Sequence, residues 1–201
     1  MLASQNPLTI DKDVLYNDKT HTYTSRSQPF KTFESVTAVV SKRMPPFNAG
    51  LISAKLSKST RGKYAGKTAE EIRDMWSRAA TMGTKLHADI ELFFNGGPEV
   101  QHAGFQHVLH HLTTTLKLVP WRTELKMVGR TSAIAGTADM VLIKAGQSAK
   151  DGVTIVDWKR TNEAPKTSRY DTCRKELAHL PAGKFWKFAL QLNLYAHLLQ
   201  D

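Results

Sequence analysis

Residues 134–143 read IAGTADMVLI and residues 153–159 read VTIVDWK, with a polar stretch between them. Both runs are short, apolar and rich in β-branched residues, which is the pattern of two strands joined as a hairpin. Successive side chains of a strand point to opposite faces, so Asp157 and Lys159 share a face. A suitable register then brings Asp139 of the partner strand opposite Asp157 at one end of the hairpin.

Two carboxylates that face each other at the end of apolar strands repel one another and lose hydration, so a compensating positive charge is expected. Mg²⁺ prefers oxygen ligands and is commonly bound by one or two carboxylates, which leaves positions for water and phosphate. The amine of Lys159 adds positive charge beside the pair. The residues alone leave a second interpretation open, in which Asp139 caps a strand and Asp157 pairs with Lys159 at a sheet edge.

The composition is that of an ordinary folded domain with an excess of positive charge. Lys and Arg number 28 against 18 acidic residues in 201, a net charge of +10, which favours an anionic partner such as nucleic acid or a membrane surface. No apolar run approaches the ~18 residues that a membrane span needs, so we expect no membrane-embedded segment.

The single cysteine, Cys173, excludes an internal disulfide and an iron–sulfur cluster held by several thiolates. An intracellular location is the simplest expectation, and residues 1–18 carry the pattern of neither a secretory signal nor a mitochondrial presequence.

The length suits one compact unit preceded by a short arm. Residues 15–24 predict a small hairpin that covers an edge of the core. Ser35 is a good N-cap for a short helix that begins at Val36. We therefore expect an N-terminal hairpin arm over residues 1–34 and one globular domain over residues 35–201, with a helical first part.

A capping box at Thr68-Ala-Glu-Glu71 opens a long amphipathic pattern that stops at Asn95-Gly-Gly-Pro98, which predicts one long helix. Gly83, His87 and Glu91 are each four residues apart and share one face of it. A histidine on such a face is commonly packed and hydrogen-bonded. Here Gly83 would permit close approach of another backbone and Glu91 would orient or assist the imidazole, which makes His87 a candidate metal ligand.

Two further elements follow the long helix. Residues 101–118 predict an amphipathic helix, and the alternation in residues 121–128 predicts a third strand of the same sheet. On this strand Glu124 either supports the metal site from behind its ligands or pairs with its basic neighbours, as an edge strand would allow.

Beyond the central hairpin the chain is first basic and then helical. Arg160, Lys166 and Arg169 lie in the basic segment and are candidates for contacting nucleic acid. The last helix places Gln191 and Tyr195 four residues apart on one otherwise apolar face. Burial as a polar pair and hydrogen bonding to a nucleotide are both open for these two residues.

Taken together, these positions resemble the PD-(D/E)XK nuclease superfamily, in its branch of RecB-like and mitochondrial-genome-maintenance-like exonucleases. The matching motifs are the helical histidine motif from Gly83 to His87, the first acid in Gly136-Thr-Ala-Asp139, the acid-x-lysine pair Asp157-Trp-Lys159, and the glutamine-tyrosine motif from Gln191 to Tyr195. Each motif is weak alone, whereas four in this order, each on the expected type of element, are strong. The resemblance covers about Ser35 to Leu199, and the helix start at Ser35-Val-Thr37 is similar to this branch as well.

The resemblance implies a fold and a metal centre. The fold is α/β of the α+β kind, with a restriction-endonuclease-like core in which helices flank a small mixed sheet. The implied ligands of Mg²⁺ or Mn²⁺ are His87, Asp139, Asp157 and the main-chain carbonyl of Trp158. Lys159 would orient or help to deprotonate the attacking water, and Gln191 and Tyr195 would contact the nucleic acid or brace Lys159.

The implied function is metal-dependent hydrolysis of DNA phosphodiester bonds by an exonuclease that acts on DNA ends or single strands in replication, repair or recombination. A catalytically silent nucleic-acid-binding module of the same fold, a structure-specific endonuclease and a basic scaffold protein stay open as alternatives. Related domains continue beyond the glutamine-tyrosine helix with further strands, whereas this sequence stops at Asp201. That difference predicts either a minimal family member or a C-terminally truncated domain.

Overall fold

The computed structural model describes residues 1–161 and 163–201, with the side chain of Arg169 outside that description. The chain mixes helices and strands, in agreement with the predicted α+β class. The helices are α1 (Leu2–Gln5), α2 (Ile10–Asp13), α3 (Val36–Arg43), α4 (Ala49–Leu56), α5 (Ala69–Phe94), α6 (Ala103–His110) and α7 (Lys184–Gln200). The strands are β1 (Val14–Asn17), β2 (Thr22–Ser25), β3 (Glu34–Ser35), β4 (Leu118–Val128), β5 (Ile134–Lys144), β6 (Thr154–Val156), β7 (Thr167–Thr172) and β8 (Pro181–Gly183).

The long helix α5 begins and ends where the sequence predicts. Its capping box is complete, because the Thr68 side chain accepts a hydrogen bond from the Glu71 main-chain N–H and the Glu71 carboxylate accepts one from the Thr68 N–H at 2.7 Å. The helix stops at Phe94, where the Gly97 N–H turns back to the Leu92 carbonyl at 2.8 Å. His87 is thereby fixed in the last third of a helix that contacts β4.

β5 is the central strand of the main sheet. β4 pairs antiparallel along one side of it, as predicted. On the other side β3 pairs in parallel with residues 134–135, and β6 pairs antiparallel with residues 140–142. The stretch of β5 from Gly136 to Asp139 therefore lies between two short partners, and this gap in the sheet edge positions the site.

The predicted strand over residues 153–159 is correct in its pairing but too long. β6 covers only Thr154–Val156, so the acid-x-lysine segment continues past the strand end. The physical reason is a side-chain hydrogen bond, because the Trp158 main-chain N–H donates to Asp139 Oδ2 at 2.7 Å. The Asp139 carboxylate thus accepts a hydrogen bond from an N–H group that would bond to a main-chain carbonyl in a regular strand pair.

The helix predicted for residues 101–118 is also too long. α6 ends at His110, a π-helical turn covers His111–Thr115, and Leu118 already begins β4. Thr113 Oγ1 donates to the Leu109 carbonyl at 2.9 Å, and such back-bonding by threonine competes with regular helical hydrogen bonds.

The core is formed by packing helices onto the sheet. One buried cluster joins the sheet to α3 and α7 and includes Val36, Leu125 and Tyr195. Another joins it to α5 and α6 and includes Ile90 and Phe105. Across residues 1–161 and 163–201, none of the helices combines the length and apolar composition that a bilayer crossing requires.

The N-terminal residues 1–34 lie against the sheet. The predicted hairpin forms from β1 and β2. Val14 and Phe33 are buried together with residues of β4 and β5. The guanidinium of Arg122 binds the Asp11 carboxylate, and this hydrogen bond is the main cause that lowers the pKa of Asp11. The arm is thus fixed against β4 and β5.

Candidate active site

A cavity of about 250 Å³ lies beside the gap between β3 and β6. Its lining includes five side chains that the sequence motifs indicated, namely Asp139, Asp157, Lys159, Gln191 and Tyr195. They come from β5, from the segment after β6 and from α7. Residues up to 56 positions apart in the sequence therefore meet at one place.

The two strand acids face each other as their pattern predicts. Met140 pairs with Val156 in the antiparallel register, so one further step places Asp139 opposite Asp157. Both carboxylates line the cavity. The register therefore places the two acids next to each other, just beyond the last paired residue Val156.

Asp157 is held by two side chains. Its carboxylate is only 3% exposed and contacts the Lys159 amine, which confirms that the acid and the amine share a side of the chain. Gln191 Nε2 donates to Asp157 Oδ1 at 3.0 Å. The Lys159 amine also lies 5.7 Å from the centre of the Phe188 ring, so its position is constrained on a second side.

Asp139 is less well neutralised. His87 Nδ1 lies 3.4 Å from Asp139 Oδ2, and the carboxylate is 14% exposed. Burial is the largest cause that raises the pKa of Asp139, and the charge of Asp157 raises it further. The charges of His87 and Lys159 act in the opposite direction without cancelling this effect. A buried carboxylate with a raised pKa beside a second acid is a common feature of functional sites.

The three side chains predicted as metal ligands are neighbours in pairs. His87 contacts Asp139, and Asp139 faces Asp157, whereas Asp157 is engaged by Lys159 and Gln191. Within the part of the chain that the structure describes, no group of three His, Cys, Asp or Glu side chains is gathered closely enough to hold one ion. The donor chemistry nevertheless fits a hard divalent cation, because the two carboxylates that line the cavity offer oxygen ligands, whereas Trp158 lines a separate pocket.

Glu124 lies next to this pair in an unusual backbone conformation. Thr123 pairs with Met140 and Leu125 with Ala138, so Glu124 is opposite Asp139. Its φ of 46° is in the left-handed region, which non-glycine residues seldom adopt away from functional or strained positions. Burial first, and then the charge of Asp139, raise the pKa of Glu124 to about 7.

Glu91 and Glu124 do not line the cavity with Asp157. They line an adjoining groove of about 620 Å³. The charge of Glu91 contributes to the raised pKa of Glu124, and it does so more strongly than the Lys126 amine lowers it. The two glutamates therefore extend the negative charge of the acid pair into this groove.

The pKa of Glu124 predicts a pH-dependent stability. Since the folded-state pKa of about 7 exceeds the ordinary 4.5, protonated Glu124 stabilises the fold fully below about pH 4.5, and this contribution is lost as the pH rises through about 7. Glutamine resembles the protonated form at every pH. We expect metal-free Glu124→Gln to exceed the parent in free energy of unfolding by about 1–2 kcal/mol at mildly alkaline pH, after allowance for solvent screening, and to match it below about pH 4.5. Urea unfolding in EDTA at the two pH values measures this, and an equal difference at both would contradict it.

Gln191 and Tyr195 form a buried polar pair. The two hydrogens of the Gln191 amide are used in one donation to Asp157 Oδ1 and one to the Tyr195 hydroxyl at 2.9 Å. Burial raises the pKa of Tyr195, which keeps the phenol neutral. Gln191 therefore positions Asp157 directly and meets Lys159 only through that carboxylate.

Gly136 allows the Tyr195 ring to reach this position. A Cβ atom at residue 136 would lie 2.7 Å from Tyr195 Cε1 and 2.9 Å from Val36 Cγ2. By contrast, the close backbone approach expected at Gly83 is wrong, since a Cβ atom there would meet nothing within 4 Å. The glycine of the helical histidine motif is on a part of α5 against which no described residue packs that closely.

Alanine substitutions at these two glycines are expected to change the free energy of unfolding in opposite directions. Gly136→Ala is expected to lower the free energy of unfolding by about 1–3 kcal/mol, because the new methyl group overpacks the contact between β5, α3 and α7. Gly83→Ala is expected to raise it by up to about 1 kcal/mol, because alanine favours an uncrowded helix interior. Urea unfolding of both variants measures the difference, and a neutral Gly136→Ala would refute the close contact.

The basic residues predicted to contact nucleic acid differ in where the structure places them. Arg160 lines a separate pocket of about 350 Å³ next to Trp158 and Lys159. Lys166 forms a surface ion pair with Glu163 at 2.6 Å. The predicted contact residue Arg169 has its side chain outside the described part of the chain. Arg160 therefore lies beside Lys159, but in a pocket separate from the cavity of the two acids.

Two aromatic residues of the cavity were not expected from the sequence. Tyr16 and Tyr23 line it from the N-terminal hairpin. The Tyr23 and Thr137 hydroxyls are hydrogen-bonded at 2.9 Å, which fixes the hairpin to β5. The hairpin register alone places both rings on one face, but no local pattern indicates which part of the sheet that face covers.

The cavity defines a class of site, with one acid on β5 and one directly after β6, a lysine two residues after the second acid, and an amide and a phenol from α7. Comparison with protein-family models, with curated proteins and with solved structures finds no match for this chain. Any functional assignment therefore depends on the residues of the cavity themselves.

Proposed function

We propose that this protein is a metal-dependent deoxyribonuclease of the PD-(D/E)XK type. The observation that carries the proposal is the convergence of Asp139, Asp157 and Lys159 on one cavity, with the two acids opposite each other across paired strands. The net charge of +10 supports a polyanionic substrate. The more specific form, an exonuclease acting on DNA ends or single strands in replication, repair or recombination, is taken from the resemblance in sequence.

Each residue of the cavity has a part in the proposed hydrolysis. Asp139, Asp157 and the Trp158 carbonyl would hold Mg²⁺ or Mn²⁺, which when bound polarises a phosphoryl oxygen and lowers the pKa of a water molecule. The Lys159 amine stabilises negative charge that develops on the phosphate, because it already lies at the edge of the acid pair.

His87 and Gln191 orient the two acids. His87 is in contact with Asp139 Oδ2, and Gln191 donates to Asp157 Oδ1, so each acid has a partner on a different helix. Such partners restrict the rotation of a carboxylate and thereby fix the direction in which it presents its oxygens. As a ligand in its own right, His87 would act through the imidazole edge that faces Asp139.

The test uses end-labelled single- and double-stranded linear DNA and closed circular single-stranded DNA, each incubated with the protein in Mg²⁺, Mn²⁺ or EDTA. We expect cleavage of linear DNA in Mg²⁺ or Mn²⁺ and none in EDTA. Cleavage of the closed circle would favour the endonuclease alternative. Folded protein that cleaves none of these substrates with either cation would refute the proposed activity.

One observation favours a second function, a nucleic-acid-binding module without cleavage. Asp157 is already paired with Lys159 and hydrogen-bonded to Gln191, so its charge is neutralised without a metal. A module of this kind would bind DNA equally in Mg²⁺ and in EDTA. It would also show no change in melting temperature on addition of Mg²⁺, whereas a nuclease with a metal site is stabilised by its cation.

A further inference from the structure

The hairpin of β1 and β2 carries a pair of stacked tyrosines at the entrance of the cavity. Tyr16 and Tyr23 are directly opposite each other across the strands, and their ring centres are 4.6 Å apart at an angle of 38°. Both rings are half-buried. Tyr16 lines the cavity of the two acids and also the adjoining groove, so this residue is shared by the two.

The pair is held rigidly. The Tyr23 hydroxyl is bonded to Thr137 on β5, and the Tyr16 hydroxyl is bonded to His21 Nδ1 at 2.8 Å. In the hairpin loop, Asn17 Oδ1 accepts hydrogen bonds from the main-chain N–H groups of the second and third residues after it, at 3.0 and 3.2 Å. A ligand that stacks on these rings would therefore not have to order them first.

Packing into the core does not account for Tyr16. Tyr23 packs against the buried cluster of Val14 and Phe33, whereas Tyr16 stands outside that cluster. The outer ring is thus presented to the two cavities rather than to the core. Lys159 lines the cavity on one side of it and Lys126 lines the groove on the other. A phosphate passing Tyr16 would meet the Lys159 amine in the cavity and, in the groove, the Lys126 amine beside the acidic Glu91 and Glu124.

We propose that Tyr16 is a stacking platform for one unpaired nucleobase, so that the substrates of the site are single-stranded DNA or unpaired DNA ends. The identity of the polymer rests on the proposed function. Every base has a face that stacks on an aromatic ring, so such a platform tolerates any sequence. In a duplex each internal base is covered on both faces by its neighbours and cannot reach the ring.

The experiment places 2-aminopurine, whose fluorescence is quenched by stacking, at an internal nucleotide of a single-stranded oligonucleotide or of a blunt duplex. The full chain is titrated in EDTA, so that binding is observed without cleavage. We expect the protein to change the fluorescence of the single strand and to leave that of the duplex nearly unchanged. Tyr16→Val, which retains a residue suited to a strand, is expected to abolish the change and to weaken single-strand binding by on the order of tenfold. Tyr16→Trp should preserve both effects.

The control is Tyr170→Val, because Tyr170 is a strand tyrosine that is 95% exposed and lies outside the cavity lining. It should behave like the parent. Unchanged fluorescence and affinity in folded Tyr16→Val would overturn the platform, and so would loss of both effects in Tyr16→Trp. Fluorescence that depends on Tyr16 without cleavage in any cation would overturn the nuclease and leave the platform standing. Cleavage that neither prefers unpaired strands nor depends on Tyr16 would overturn the platform and leave the nuclease standing.

Discussion

Asp157→Asn is expected to cleave DNA in Mg²⁺ at least about a hundredfold more slowly than the parent, which corresponds to about 3 kcal/mol of lost transition-state stabilisation. The substitution removes one of the two negative charges that would hold the cation. It also removes the anion that positions the Lys159 amine. Initial rates on end-labelled single-stranded DNA, measured with saturating Mg²⁺, determine the size of the effect.

The same variant is expected to stay folded and to bind DNA. An asparagine at residue 157 can still accept the hydrogen bond from Gln191 Nε2 in a site of the same shape. The matched control is Asp89→Asn, because Asp89 also contacts a lysine, Lys85, at 2.6 Å, but does so on the surface of α5. It should cleave DNA at the parental rate. Equal cleavage by folded Asp157→Asn and the parent would remove Asp157 from the reaction.

The sequence predicts those parts of this fold whose signal is local. The capping box at Thr68 and the regular apolar spacing after it predict α5 with both of its ends. Strand alternation places Asp157 and Lys159 on one side, and the antiparallel pairing brings Asp139 opposite Asp157. Each of these features depends on residues that are near in the sequence or on a single hairpin register.

Other parts depend on contacts that no local pattern contains. β6 ends early because a side chain of β5, Asp139, takes the Trp158 N–H. β7 and β8 were not predicted, since Thr167–Thr172 is polar and does not alternate. Tyr16 reaches the cavity only because the whole N-terminal arm lies against the sheet. The acids, together with Gln191 and Tyr195 beside them, were therefore predictable, whereas the wall that the N-terminal arm contributes was not.

Asp139→Asn is expected to abolish cleavage and, in the absence of metal, to make the protein more stable. Burial and the charge of Asp157 raise the pKa of Asp139, so its ionised form destabilises the fold at neutral pH. For a carboxyl with a raised folded-state pKa, stability is greatest when the group is protonated and falls as the pH rises through that pKa. Asparagine is uncharged and can still accept the hydrogen bond from the Trp158 N–H.

We expect the metal-free Asp139→Asn variant to exceed the parent by about 0.5–2 kcal/mol in free energy of unfolding at neutral pH, while its cleavage rate falls by at least about a hundredfold. Urea unfolding in EDTA and the end-labelled DNA assay measure the two effects. Mg²⁺ should raise the melting temperature of the parent and leave that of the variant nearly unchanged, because a cation stabilises only a protein that binds it. A gain in stability combined with a loss of activity is the mark of a charge retained for function.

The opposite behaviour is expected at Asp11, which makes it the matched control. Its pKa is lowered, chiefly by the hydrogen bond from Arg122, and the Arg122 side chain is buried. Asp11→Asn should therefore destabilise the metal-free protein, because it leaves a buried guanidinium without its anion. If Asp139→Asn were instead less stable than the parent in EDTA, the contact with His87 would outweigh the repulsion from Asp157. Asp139 would then be a structural acid, and the proposal that it binds a cation together with Asp157 would be contradicted.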